Sequence, residues 1–268
     1  KSSKERGKII TLLSGVPDSM LLVTTKPLEA ISLTNAAIRD KATKIIAVGG
    51  DGTINEVASA LVGSNIPLGI IPIGSGNGLA RHLQIPLTPS KALAHALLNK
   101  TKRIDVGFIN ERPFFCTAGI GFDAQVAHQF AKNNKRGLIN YIKATFITLY
   151  KFKPIVIHFE GKQEILFSFT IANANQFGNN AYISPFSNIQ DGNIEIVRIL
   201  PLSFWNAAIV GIKLFLKKIK HSKKVKIDTI TQYQVEYSVQ QPMHMDGEAI
   251  FTSESKLDIT IKPAALLV

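Results

Sequence analysis

The sequence predicts two domains: an α/β domain with a parallel sheet over residues 1–103, and an antiparallel β domain with helical excursions over 104–268. Two observations carry this reading. The first hundred residues alternate helix-like and β-rich segments, as βαβ units do. Beyond Arg103 the texture changes to short β-like runs separated by turn signals such as Glu160-Gly161, Asp191-Gly192 and Asp246-Gly247.

In the first half, Ser2–Leu13 reads as a helix and Ser19–Thr24 as a short apolar strand. Pro27–Lys41 is helical, Lys44–Val48 is a β-rich run, Asn55–Val62 is helical, Pro67–Ile71 is again a strand, and Pro89–Asn99 is a helix. An α/β domain usually opens on a strand, and this chain opens on a helix, so a strand and its loop are expected upstream. In the second half the expected strands are Ile104–Asn110, Pro113–Ala118, Ile155–Phe159, Ile165–Ala172, Ile194–Leu200, Lys224–Asp228, Gln234–Ser238 and Lys256–Lys262. Helical stretches interrupt them near Asn140–Tyr150 and Leu202–Lys220.

Composition narrows the partners. Lys and Arg number 31 against 19 Asp and Glu, a net charge of +12 over 268 residues. That surplus suits nucleic acid, an acidic membrane or a polyphosphate, and the sign alone does not choose. The single cysteine, Cys116, excludes an internal disulfide and a Cys-based zinc site, and fits a small buried residue in a reducing compartment. The six histidines show no metal-ligand spacing. Lys1–Lys8 is polar and basic with no apolar segment behind it, unlike a signal peptide. The best membrane-span candidate, Leu202–Leu216, contains Asn206 and Lys213 and falls short of the roughly 18–20 apolar residues a span needs.

Four motifs carry chemistry. Gly49-Gly50-Asp51-Gly52-Thr53-Ile54-Asn55-Glu56 follows a β run and opens a helix. Glycines let a backbone approach a phosphate closely, and the helix N-terminus adds positive potential. Asp51 would repel an anion directly, so it acts through a metal or by ordering the loop. Gly74-Ser75-Gly76-Asn77-Gly78 follows the next strand. In a parallel sheet both loops lie at one edge, where such folds bind ligands. Neither loop is a Walker motif or a dinucleotide fingerprint. Asp246-Gly247-Glu248 offers two carboxylates, one of which could accept a proton from an attacking hydroxyl. Asp191-Gly192-Asn193 is an acidic turn whose oxygens suit a hard cation. Taken singly, each of these also reads as a plain turn.

Together and in order, the motifs resemble the bacterial diacylglycerol kinase-like lipid kinases, relatives of the sphingosine and ceramide kinases. The resemblance adds Arg103-Ile104-Asp105, Ala118-Gly119-Ile120-Gly121-Phe122-Asp123-Ala124 and Pro263-Ala264-Ala265-Leu266 to those landmarks. It implies an NAD kinase/phosphofructokinase-like α/β domain facing a β-sandwich across a cleft, with the last residues allowed to return to the first domain. ATP would be held by Thr24, by Gly49, Gly50, Asp51, Gly52, Thr53, Ile54 and Asn55, and by Gly74, Ser75, Gly76 and Asn77. Asp246, Glu248 and Asp51 would serve catalysis with Mg²⁺. Asp191, with backbone oxygens of Asn188 and Asn193, would bind a structural magnesium. The implied partners are a lipid substrate and, transiently, an anionic membrane surface; a homodimer is allowed, and no nucleic-acid motif is visible. The implied location is cytoplasmic and peripheral to the membrane, and the basic apolar stretch Leu202–Lys224 suits such contact. Two departures stand out. The family's early Asn-Pro-x-Ser-Gly loop is absent, and Gly78 stands where many bacterial members carry Asp. An NAD kinase-like enzyme and a catalytically inactive lipid-binding member are the competing readings.

Overall fold

The computed structural model describes residues 3–98, 100–132, 138–159, 161–237, 242–251 and 254–268; Ser2, Asn99, Glu160 and Ser238, at the ends of expected features, lie outside the described residues. The first half contains helices α1 (Ser3–Ser14), α2 (Glu29–Arg39), α3 (Asp51–Leu61), α4 (Gly78–His82) and α5 (Pro89–Leu97), with strands β1 (Ile45–Gly49) and β2 (Leu68–Pro72). The two strands pair in parallel, from Ile45 opposite Leu68 to Gly49 opposite Pro72. Both glycine loops therefore leave the sheet at the same edge.

Residues 19–24 do not form the expected strand. Met20, Leu21, Leu22 and Val23 are all exposed, so no apolar burial drives the run into a sheet. Among the described residues the parallel sheet is two strands wide. Helix α3 begins at Asp51, four residues before the expected start, because Gly50 already takes the extended N-cap geometry.

The second half contains β3 (Arg103–Ile109), β4 (Arg112–Phe114), β5 (Thr117–Gly121), α6 (Phe122–Ala131), α7 (Leu138–Lys151), β6 (Ile155–Phe159), β7 (Lys162–Leu166), β8 (Ser168–Ala172) and β9 (Ile194–Ile199). There follow α8 (Phe204–Phe215), one 3₁₀ turn (Ile219–His221), β10 (Val225–Ile230), β11 (Gln232–Tyr237), β12 (Met243–Met245), β13 (Glu248–Ile250) and β14 (Lys256–Leu267). Among the described residues the strands form two six-stranded antiparallel sheets, ordered β10-β9-β8-β5-β12-β13 and β4-β3-β14-β11-β6-β7. Alternate residues of both sheets, among them Ile120, Phe169, Ile196, Ile157, Val235 and Ile259, meet in one apolar cluster, as a β-sandwich requires.

Two expected strands each split into two for identifiable reasons. Pro113–Ala118 breaks at Phe115-Cys116, whose N–H groups turn to the Asp246 carboxylate instead of a ladder. Ile165–Ala172 breaks at Phe167, where the chain passes from one sheet to the other and Phe167 N donates to Ile199 O. At the sandwich edge, Arg198 of β9 holds Glu164 of β7 and Asp228 of β10, both at 2.6 Å, linking the sheets by charge. Helix α6 was not expected from the sequence.

The two halves share a core. Ile104, Val106, Phe115, Cys116 and Leu266 pack in the same cluster as Ile54, Leu61, Ile71 and Leu79. The end of β14 and the residue after it reach the first half directly: Lys102 and Val268 exchange both backbone hydrogen bonds, and Gly63 N donates to Ala265 O. Among the described residues, no helix is long and apolar enough to cross a membrane.

Candidate active site

The two glycine loops are built against each other. Ile73 N donates to Gly49 O at 2.8 Å. A side chain on Gly74 would sit 2.7 Å from the Gly50 Cα, and one on Gly50 would sit 3.3 Å from the Gly74 Cα. Only hydrogen at both positions permits this approach without movement. Thr53 occupies the space where a Gly49 side chain would lie. The side chain of Ile54 is buried in the shared core, so only its backbone faces the loop.

Asp51 joins the loops. Its carboxylate accepts from Asn77 N at 2.8 Å and from Gly78 N at 2.7 Å. Of the two roles the sequence left open for Asp51, these contacts are those of loop ordering. Burial pushes its pKa up, against the N–H groups of Gly78 and Asn77, which favour the charged form. Asn77, in the left-handed region at φ 52°, clamps its own loop: Gly74 N donates to its Oδ1, and its Nδ2 donates to Gly74 O. Arg81 Nε donates to Gly76 O at 3.0 Å. Ser75 is left exposed at the loop tip. The first turn of α3 presents the N–H groups of Gly52 and Thr53, for which an α-helix has no internal acceptor, while that of Asp51 turns to its own carboxylate.

The acidic segment of the sandwich meets these loops. Strands β12 and β13 form a hairpin whose two turn residues, Asp246 and Gly247, have φ of 50° and 83°. Positive φ at both positions is the signature of a tight hairpin turn, for which Asp-Gly is well suited. Asp246 Oδ2 accepts from Asn55 Nδ2 at 2.7 Å and from Phe115 N at 2.9 Å. Its Oδ1 accepts from Cys116 N at 2.7 Å and Thr117 N at 3.1 Å. Four donors fill the acceptor capacity of a carboxylate. Burial raises the Asp246 pKa, opposed by those same four donors. Glu248 is placed differently. It is exposed, and its carboxylate lies against Gly52, where any side chain would collide with it. The sequence did not separate the two acids; the geometry makes Asp246 an anchor and aims Glu248 at the loop.

The remaining expected site residues lie apart from this cluster. Thr24, expected at the end of a strand, is exposed in an irregular segment, because residues 19–24 form no strand to present it. Asp191 and Asn193 form a self-bonded turn: Asn193 N donates to Asp191 Oδ1, and Asn193 Nδ2 donates to Asp191 O, both at 3.0 Å. Asn188 Oδ1 accepts from Gln190 N. Among the described residues, no group of three or more His, Cys, Asp or Glu side chains could hold a metal ion. Two features escaped sequence reasoning. Buried Asp105 accepts from Gly192 N and Ala264 N, both at 2.7 Å, fixing the acidic turn against the irregularity in β14. Asp123 Oδ2 accepts from Thr170 Oγ1 at 2.7 Å and lies 3.2 Å from buried His244 Nε2. Both aspartates stand in the landmark motifs, which was the available signal.

A small parallel α/β unit joined to a β-sandwich is the fold of the diacylglycerol kinase-like proteins. Residues 1–109 match the diacylglycerol kinase catalytic domain, and residues 116–268 match the YegS C-terminal NAD kinase beta sandwich-like domain. The chain belongs to the bacterial diacylglycerol kinase-like lipid kinase family. It is similar to the "Diacylglycerol kinase" of Mycobacterium tuberculosis, with 31% identity over 63% of this chain and 58% of the relative. The chain thus matches somewhat over half the length of that protein. The "Probable lipid kinase YegS-like" of Klebsiella pneumoniae is 26% identical over 93% of this chain and 85% of its own. A diacylglycerol kinase structure from Bacillus anthracis superimposes with a TM-score of 0.70 at 18% identity, covering 97% of this chain and 90% of that one.

Proposed function

We propose that this protein is an ATP-dependent lipid kinase, transferring the γ-phosphoryl group of ATP to a hydroxyl of a diacylglycerol-like or sphingoid lipid. The observation that carries the reading is the placement of Glu248, delivered by the sandwich to Gly52 at the head of the phosphate-type loop. A lone nucleotide site would need no acid there. Phosphoryl transfer needs one to orient an attacking hydroxyl.

The residues divide the work. Backbone N–H groups at the start of α3, with the Gly74–Asn77 loop, receive the phosphates. Asp51 and Asn77 hold the loops in register. Asp246 fixes the hairpin to Asn55 and to the Phe115–Thr117 backbone, so Glu248 meets the lipid hydroxyl in a set position and accepts its proton. The donor set also fits magnesium: an exposed carboxylate beside phosphate-binding N–H groups, all hard oxygen chemistry once ATP is present. Mg²⁺ bound with ATP would neutralise charge, and the Glu248 carboxylate beside Gly52 would be available to hold it. A second, structural magnesium at Asp191 is part of the same reading. Its support is the exposed carboxylate of Asp191 in a tight turn, which offers hard oxygen chemistry.

The test is incubation of the full chain with radiolabelled ATP and Mg²⁺, in turn with extracted lipids and with NAD. Labelled phospholipid is expected. Labelled NADP would establish the NAD kinase-like alternative, and no labelled product would leave an inactive family member.

A further inference from the structure

Helix α8 has one buried residue, Val210, and is otherwise a half-buried or exposed element lying over the outer face of the sheet β10-β9-β8-β5-β12-β13. Apart from Asn206, its exposed positions are apolar at helical spacing: Trp205 is 75% exposed and Ile212 60%, with Ile209 and Phe215 alongside and Leu216 just beyond the helix. A face of this kind in water is costly unless something covers it. The chain just beyond supplies the opposite chemistry. Lys217, Lys218, Lys220, Lys223 and Lys224 follow, and no acidic residue occurs from Leu200 to Val225. Lys220 Nζ sits 3.9 Å from the ring centre of Phe186, itself exposed, so apolar surface and cation continue beyond the helix.

We propose that this face of α8 and the lysines that follow it form the surface by which the protein docks on an anionic lipid bilayer. The inference deepens the lipid-kinase reading and rests on it for its purpose. A helix of 12 residues is too short to span a bilayer and suited to lie in its interface. Apolar side chains enter the acyl boundary while lysines meet acidic headgroups. A tryptophan at the edge of such a face is at home at the headgroup level. A second copy of the chain fits less well, because it would bring the same lysines with no acid in this stretch to pair them.

The docking face is also wired to the candidate active site. Tyr182 N donates to Leu214 O of α8 at 3.1 Å. Two residues before Tyr182, Arg81 Nη1 donates to Asn180 Oδ1 at 3.2 Å, and three before it Asn179 N donates to Gly76 O at 3.1 Å. One short segment thus joins the membrane-facing helix to the second glycine loop. Docking would set that loop at a fixed height above the bilayer.

Trp205 is the sole tryptophan of the chain, so its fluorescence reads this surface alone. The protein is titrated, without ATP, with phosphatidylcholine vesicles with and without phosphatidylglycerol. Blue-shifted emission is expected with the anionic vesicles, with co-sedimentation. Lys218→Glu/Lys223→Glu should raise the lipid concentration for half-binding about tenfold or more, at about 1 kcal/mol per basic residue. Ile209→Ser/Ile212→Ser/Phe215→Ser, which keeps Trp205, should abolish the shift. No shift with wild type, or equal binding by both variants, would overturn the proposal. So would a blue emission already present without vesicles in a dimer seen by sedimentation. Turnover of detergent-dispersed lipid separates the two readings. Docking variants should keep it. A wild-type chain that binds vesicles but phosphorylates no lipid would sink the kinase reading and leave the docking surface standing.

Discussion

Asn55 Nδ2 donates to Asp246 Oδ2 at 2.7 Å across 191 residues of sequence, pinning the helix of the first glycine loop to the acidic hairpin of the sandwich. The bond sets the two acids of the hairpin apart. Asp246 is consumed in holding Asn55 and three backbone N–H groups. The turn it opens places Glu248 two residues on, at Gly52.

The two acids should therefore fail in different ways. Asp246→Asn replaces an acceptor oxygen with an NH₂ group facing buried N–H donors, and a buried unsatisfied donor costs about 1–3 kcal/mol. A lower melting temperature is expected, with activity lost through misplacement of the hairpin. Glu248→Gln keeps the size of an exposed side chain, so the melting temperature should fall less than in Asp246→Asn while kcat falls by about 10²–10⁴, with little change in ATP affinity. Thermal melts and steady-state kinetics on both variants check this. Wild-type kcat in Glu248→Gln would remove that residue from the chemical step.

The glycine contact makes an ordered prediction. A methyl on Gly74 would lie 2.7 Å from Gly50 Cα, which is backbone and cannot swing aside. A methyl on Gly50 would meet the facing Cα at 3.3 Å, a gap that a small shift relieves. Gly74→Ala should cost about 1–3 kcal/mol of stability, as overpacking does, and Gly50→Ala clearly less. Gly50→Asp should stay folded yet lose ATP binding, because it adds negative charge beside the phosphates. Denaturant melts and nucleotide titrations give the order, and equal stability of the two alanine variants would contradict it.

What was legible in the sequence follows the range of the interactions. Gly49–Asn55 and Gly74–Asn77 announce their turns locally, because the residues that make the turn are the turn. The strands β6 and β9 also follow from local pattern. The loss of the Ser19–Thr24 strand was not legible, since a short apolar run needs a sheet edge to bury it, and the local pattern carries no information on that. The splitting of Pro113–Ala118 depends on a carboxylate about 130 residues away. The difference between Asp246 and Glu248 likewise lies in the partners they meet, not in their types.

Asp191 offers a test by metal removal. If it holds a structural magnesium, EDTA should lower the melting temperature of the wild type, because an ion that binds only the folded state stabilises it by mass action. Asp191→Ala should start at the lower value and not respond to EDTA. A wild-type melting temperature indifferent to both chelator and mutation would make this turn the self-bonded loop that Asn193 already supports.

Cys116 supplies the last prediction. The thiol is buried at the junction of the halves, its Sγ 3.2 Å from where a Gly78 side chain would begin, and its N–H is held by Asp246. Burial pushes its pKa well up, and the charges of Asp246 and Asp51 push it further. A thiol must be both reachable and ionised to attack a disulfide reagent, and here each condition fails. At pH 8 the native protein should react with a soluble disulfide reagent at least about 10³-fold more slowly than the urea-unfolded chain, at a rate set by opening of the interface. Asn55→Ala removes one bond across that interface and should speed labelling by several-fold without changing the unfolded rate. Saturating Mg-ATP should slow it, because ligand bound to the closed form suppresses opening. If labelling of the native protein is as fast as that of the unfolded chain, Cys116 is not sealed at this junction. If ATP protects the wild type but not Gly50→Asp, the protection runs through the glycine loop.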